Sequence, residues 1–207
     1  MAKFRISYNA PVVLTFALAA VAVFVITSEH VLPNARLWFV AWPEFRDTRS
    51  YVGLISHILG HASWNHLLGN FMLILLIGPI LEERFGSLQL LIMILVTALV
   101  TGLVNVAVSS DALLGASGIV FMMILLASTA NIREGEIPLT FIAVAVIYLG
   151  GEIVRAVSED DQVSQMAHLL GGATGAVFGF MSARRTGPPK THVKPTDVLA
   201  PPKKALP

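Results

Sequence analysis

One serine of this chain stands among residues small enough to let other backbone approach it closely. Ser117 lies in the sequence Gly115-Ala116-Ser117-Gly118, at the start of an apolar stretch that ends near Ala130. A hydroxyl on such a turn is a candidate nucleophile, provided that a base can take its proton. The chain contains no cysteine, which excludes thiol catalysis, disulfides and cysteine-bound metals.

A histidine in the last apolar segment could supply the base. His168, Gly171 and Gly175 share one helical face through their i, i+3 and i+7 spacing. The GxxxG pair lets a neighbouring helix come close, although alone it usually indicates plain helix packing. A histidine in a membrane segment could also cap a carbonyl, bind a metal or relay protons. If the neighbouring helix carries Ser117, the two side chains could reach the distance of about 2.6–3.2 Å that a nucleophile and its base need.

The acidic residues of the chain fall in its polar loops or at the ends of apolar segments, as Asp111 and Glu152 do, rather than beside His168. We therefore expect a two-residue dyad of Ser117 and His168, with no third acidic member. Its imidazole would have to be oriented by packing and by contacts with glycine.

Two further polar residues could stabilise the oxyanion that acyl transfer creates. His66 and Asn70 are four positions apart and would share a helix face. An imidazole N–H and an amide N–H are suitable donors, together with the backbone N–H of Ser117. An interhelical hydrogen bond is the alternative role for Asn70. For His57 and His61 we expect structural hydrogen bonds, because no acidic or cysteine ligand lies near enough to complete a metal site. His61 is five residues before His66, so on a continuous helix it would lie on a different face, nearer the surface.

The composition is typical of a polytopic membrane protein. Of the 207 residues, 55% are hydrophobic and 13% are charged, against about a quarter charged in soluble domains. Six apolar segments predict an all-α protein with six transmembrane helices, in residues 11–27, 51–81, 88–108, 111–130, 138–153 and 166–181. The first of these could instead be a signal peptide.

The polar segments outside this membrane domain, residues 11–183, have distinct compositions. Residues 1–10 form a short basic N-terminus, and residues 28–50 contain Trp38 and Trp42, so a long loop on the bilayer surface is expected. Residues 184–207 are rich in Pro and Lys and predict a disordered tail.

Basic residues predict the orientation. With a cytoplasmic N-terminus, ten of the 14 Lys and Arg residues lie on the cytoplasmic side, as the positive-inside rule requires. Both termini would then be cytoplasmic, and the second, fourth and sixth helices would enter from the outer face. Ser117 follows Asp111 by six residues and His168 follows Asp161 by seven, so both would lie roughly 10 Å below the outer loops.

Taken together, these residues resemble the motifs of the rhomboid intramembrane serine proteases. The segment HILGHASWNHLLGN (57–70) is similar to the family's second-helix pattern, and EERFGS (82–87) resembles its charged turn. The residues GASG (115–118) match its GxSG motif, and AHLLGGATG (167–175) matches AHxxGxxxG. The resemblance covers residues 50–182. It implies the six-helix core of the bacterial members, with Ser117 as nucleophile, His168 as general base, and Asn70 with His66 at the oxyanion.

Two positions depart from the family pattern. Many members carry a Trp-Arg pair in the first loop, where this chain reads Tyr51-Val52-Gly53. Many also have a tyrosine four residues after the serine, stacked on the histidine, where this chain has Phe121. A phenylalanine can stack but offers no hydroxyl.

The sequence thus predicts an intramembrane serine endopeptidase of the plasma (inner) membrane. It would cleave single-span or polytopic membrane-protein substrates near the outer face of the bilayer, without cofactor, metal or nucleic acid. Structural support is expected from Gly115, Gly118, His61, Gly171 and Gly175. Substrate segments with helix-weakening residues would be favoured, because the serine needs extended backbone. The alternatives are a non-proteolytic rhomboid-like protein that binds client membrane helices, and a proton-coupled transporter that uses the buried histidines.

Overall fold

The protein is described here by a computed structural model, which covers residues 7–129, 137, 139–158 and 162–183. The expectation of an all-α fold is confirmed for these residues. The predicted tail (184–207) lies outside them. Their helices, in chain order, are α1 (Pro11–Ile26), a 3₁₀ helix (Pro33–Phe39), α2 (Thr48–Ser56), a second 3₁₀ helix (His57–Leu59), α3 (Trp64–Phe85), α4 (Ser87–Val108), α5 (Ser117–Ser128), α6 (Leu139–Ser158) and α7 (Gln162–Ala183).

Two of the helices in the described part are long and apolar enough to cross a membrane. They are α3 and α4, whose mean hydropathies are 1.5 and 2.5. The helices α1 and α5 are also apolar but shorter. The helices α1, α3, α4, α5, α6 and α7 each overlap one of the six predicted segments, but the number of membrane crossings stays a prediction.

The prediction of one continuous helical segment over residues 51–81 is wrong. The helix α2 begins earlier, at Thr48, because the Asp47 side chain caps it by accepting hydrogen bonds from two backbone N–H groups of its first turn. The chain then leaves helical conformation over residues 60–63. It enters α3 where Ser63 accepts a hydrogen bond from the backbone N–H of His66 at 3.2 Å.

The charged turn expected over residues 82–87 is also shorter than predicted. Residues 82–85 belong to α3, and only Gly86, with φ of 85°, separates α3 from α4. The carboxylate of Glu82 is buried and accepts hydrogen bonds from the backbone N–H groups of Val12 and Val13, both at 2.9 Å. It also accepts a hydrogen bond from the Ser87 hydroxyl at 2.7 Å. Glu82 therefore caps α1 and fastens it to the junction of α3 and α4.

The core is built around α5, whose residues from Gly118 to Leu126 are all buried. A helix that is apolar on every side is expected at the centre of a bundle. The helix α7 runs along α5 at very short range, because a Cβ on Gly171 would overlap the Gly118 carbonyl and a Cβ on Gly175 would overlap the Met122 carbonyl. The neighbour that the GxxxG pair admits is thus the helix that begins at Ser117.

The first loop is fixed to the bundle although it lacks the Trp-Arg pair. Ala41 and Leu113 form an antiparallel bridge, with N–H···O distances of 2.8 and 2.9 Å. The buried side chain of Asn105, on α4, donates to the carbonyl of Ala41 at 3.3 Å and to that of Asp111 at 3.1 Å. The loop that precedes Ser117 is consequently held by both the first loop and α4.

Candidate active site

Ser117 is the first residue of α5 and is half-buried. The turn before it is made possible by Gly115, whose φ of 123° lies in a region that favours glycine. The backbone N–H of Gly115 donates to the carbonyl of His57 at 2.9 Å, which fixes the turn. At the N-terminus of a helix the first backbone N–H groups have no intrahelical acceptor and favour negative charge. The serine therefore stands where an anion can be stabilised.

His66 and Asn70 border the turn that leads to the serine. A Cβ on Gly115 would lie 2.7 Å from both Cε1 and Nε2 of His66, and 3.9 Å from Nδ2 of Asn70. His66 is half-buried and Asn70 is buried. Both predicted oxyanion residues are thus within a few ångströms of the glycine two positions before Ser117.

His168 lies on the α7 turn that packs against the start of α5. A Cβ on Gly118 would lie 3.2 Å from the carbonyl oxygen of Ala167, the residue before His168. The imidazole is stacked on the ring of Phe121, with centroids 4.4 Å apart and planes at 9°. Phe121 is four residues after Ser117 and shares its helix face. The structure therefore sets His168 against the face of α5 that Ser117 begins.

The contact between Phe121 and His168 bears on the second departure from the family pattern, which is the phenylalanine in place of a tyrosine at position 121. The aromatic ring stacks on the histidine as expected, without a hydroxyl. Stacked rings of this kind contribute about 0.5–1.5 kcal/mol beyond the area they bury. The contact can orient an imidazole without an acidic partner.

Contrary to the expectation from the sequence, His61 does not lie near the surface. That expectation assumed a continuous helix, in which His61 and His66 would point in different directions. The break at residues 60–63 turns the chain back, so that His61 is buried and its Nε2 lies 3.2 Å from Nδ2 of Asn70. Its ring meets the ring of His66 edge-on, with centroids 5.0 Å apart.

His57 is fully buried and makes the kind of structural hydrogen bonds that were expected. Its Nδ1 lies 3.0 Å from the carbonyl oxygen of Gly53, and its Nε2 lies 3.3 Å from the hydroxyl of Thr101. No group of three His, Asp or Glu side chains in the described ranges could hold a metal ion. A metal-free site stays a prediction.

Sequence reasoning missed the contribution of α4 to the site. Thr101 Cγ2 would be 3.3 Å from a Cβ on Gly118, and Asn105 holds the loop before Ser117. Both side chains are buried in a largely apolar helix. The signal was present, since Thr97, Thr101 and Asn105 recur every four residues and polar groups at membrane depth are costly.

The charges of the first loop lie outside the membrane-spanning helices. Hydrogen bonding from the Arg49 side chain holds the pKa of the Asp47 carboxyl below its usual value. Hydrogen bonding from Arg46 likewise lowers the pKa of Glu44. Both carboxylates stay ionised near neutral pH, so the Asp47 cap of α2 remains formed.

Comparison with known proteins gives one consistent result. The family model of the rhomboid domain matches residues 48–185. Rhomboid protease GlpG of Haemophilus influenzae is 24% identical over 176 residues, which cover 83% of this chain and 91% of that protein. Rhomboid protease GlpG of Yersinia enterocolitica is 25% identical over 187 residues, covering 87% and 66%. Rhomboid-related protein 1 of Caenorhabditis elegans is 36% identical over 143 residues, covering 61% of this chain and 38% of the nematode protein.

Proposed function

The chain belongs to the rhomboid family, and we propose that it is an intramembrane serine endopeptidase in which Ser117 and His168 form the catalytic dyad. The observation that carries this proposal is the close packing of α7 on α5. Gly171 meets the backbone of Gly118, and the His168 ring is stacked on Phe121, one turn beyond Ser117. Nucleophile and base need this proximity.

Proton transfers in the proposed reaction run through a single imidazole. His168 takes the proton of the Ser117 hydroxyl as its oxygen attacks the carbonyl carbon of the scissile peptide bond. The same imidazole then gives the proton to the leaving amine, and an acyl-enzyme ester remains on Ser117. Water, deprotonated by His168, attacks this ester, and the proton returns to Ser117 as the carboxylic product leaves.

The negative charge that develops on the substrate oxygen needs donors nearby. The His66 ring and the Asn70 amide border Gly115, and the N-terminal turn of α5 offers the backbone N–H of Ser117. We assign these three groups to the oxyanion site. Loss of one such donor typically lowers kcat by roughly 10²–10³-fold.

The site must also admit water and a stretch of substrate backbone. Ser117, His66 and His168 are half-buried, whereas the next nine residues of α5 are buried. This difference supports a polar opening at one end of the bundle. From the distribution of basic residues we assign that end to the outer face of the plasma membrane, with six membrane crossings, both termini in the cytoplasm and membrane-protein segments as substrates.

Cleavage of a single-span substrate in liposomes tests the proposal. We expect Ser117→Ala and His168→Ala each to reduce product formation at least about 10³-fold. The matched control is Ser128→Ala at the other end of α5, whose hydroxyl donates to the Leu125 carbonyl at 2.7 Å, and it should keep wild-type activity. Equal cleavage by wild type and Ser117→Ala would overturn the dyad. An inactive wild type on a panel of single-span and polytopic substrates would overturn the protease and favour the client-binding alternative.

A further inference from the structure

His61 lies in the break at residues 60–63 and Asn70 lies nine residues later, in α3, yet their side chains form a buried contact. His61 Nδ1 lies 3.2 Å from the carbonyl oxygen of Leu59, and His61 Nε2 lies 3.2 Å from Asn70 Nδ2. Both residues are buried, so each polar atom needs a partner of the right kind.

The first of these contacts fixes the tautomer of the ring. A carbonyl oxygen only accepts hydrogen bonds, so Nδ1 of His61 must carry the proton that it donates to Leu59. In the neutral imidazole Nε2 is then an acceptor. The lone pair of His61 Nε2 faces the Asn70 side chain. The Asn70 atom next to it must therefore be the N–H donor rather than the amide oxygen.

The tautomer in turn fixes the orientation of the amide. If the Asn70 side chain were flipped, its Oδ1 would face the lone pair of Nε2, and two acceptors would be opposed. The His61 ring cannot turn away easily, because the rings of His66 and Phe71 enclose it, with centroids at 5.0 and 5.7 Å. The Nδ2 group is therefore held on the side of His61, where it also borders Gly115.

From this geometry we infer that His61 is a positioning residue that orients the amide of Asn70 for the oxyanion. A primary amide has two N–H donors. His61 engages one, and the other serves the substrate oxygen in the transition state. This inference rests on the proposed function, since it gives His61 a role in the same reaction although it need not touch the substrate.

A double-mutant cycle in liposomes separates this role from plain structural support. His61→Leu removes the acceptor, and we expect kcat to fall roughly tenfold with little change in KM, because an interaction of the transition state is weakened. His61→Gln restores an acceptor at similar reach and should recover most of the rate. In the Asn70→Ala background, His61→Leu should lower kcat by less than about twofold, because the amide that His61 orients is gone.

His57→Leu is the matched control, since His57 is an equally buried histidine whose ring contacts Gly53 and Thr101 instead. Whatever rate it loses should be lost equally with and without the Asn70 amide. If His61→Leu lowers kcat by the same factor in both backgrounds, or if His61→Gln is as slow as His61→Leu, the positioning role is overturned while Ser117-dependent cleavage stands. If cleavage does not depend on Ser117, the proposed function fails and this inference fails with it.

Discussion

Gly171 lies so close to Gly118 that any side chain on it would meet the Gly118 backbone. We expect Gly171→Ala to push α7 away from α5, to lower the free energy of unfolding by about 1–3 kcal/mol, and to reduce cleavage by more than about tenfold, because small misplacements of catalytic groups are costly. Thermal unfolding in detergent and cleavage rates measure the two effects. Gly150→Ala in α6 is the control, since nothing lies within 4 Å of its Cβ position. A fully active Gly171→Ala variant would show that the spacing of α5 and α7 does not determine the cleavage rate.

The ring of Phe121 lies flat against the imidazole of His168. Phe121→Leu should lower kcat roughly two- to tenfold, the range that corresponds to a lost stacking energy of about 0.5–1.5 kcal/mol. Phe121→Tyr keeps the ring and should keep the rate. Phe141→Leu, which breaks an aromatic contact with Phe180, controls for general loosening of α7. If Phe121→Leu and Phe121→Tyr are equally active, stacking does not orient the imidazole.

The pairing of α5 with α7 could be anticipated from sequence, because close approach of two helices requires small residues at fixed spacing. Gly118 and Gly171 supply that signal directly. A hydropathy pattern does not reveal the break before α3, because it averages over the polar residues between Gly60 and His66 and does not register the cap that Ser63 forms. The same break explains why His61 was misplaced: its contact with Asn70 depends on the chain turning back.

A buried carboxylate is another feature that the pattern of apolar residues conceals. The sequence predicts that Glu82 lies in a charged turn, but it is buried and accepts hydrogen bonds from two backbone N–H groups of α1. We expect Glu82→Ala to lower the free energy of unfolding by roughly 3 kcal/mol, because the buried donors lose their acceptor. The exposed neighbour Glu83 gives the matched control Glu83→Ala, which should unfold like wild type. Equal unfolding temperatures for the two variants would contradict the capping role of Glu82.

Asn105 donates hydrogen bonds to two carbonyl groups, that of Ala41 in the first loop and that of Asp111 in the loop before Ser117. In Asn105→Leu both carbonyls lose a donor while the bridge between Ala41 and Leu113 remains. The loop should therefore stay attached but become less well fixed. We expect kcat to fall about tenfold, because Ser117 follows this loop directly and its placement tolerates little error.

Asn105→Leu should reduce the unfolding temperature only slightly, because the backbone bridge between Ala41 and Leu113 still holds the loop. Ser110→Ala changes an exposed side chain of the same loop and should have wild-type kcat. Cleavage kinetics and thermal unfolding of both variants distinguish a role in positioning Ser117 from general support of the fold. If Asn105→Leu loses stability and activity in proportion, Asn105 supports the fold as a whole. If kcat falls alone, the first loop and α4 together hold the nucleophile in position, which would make this polar residue of α4 part of the support for the active site.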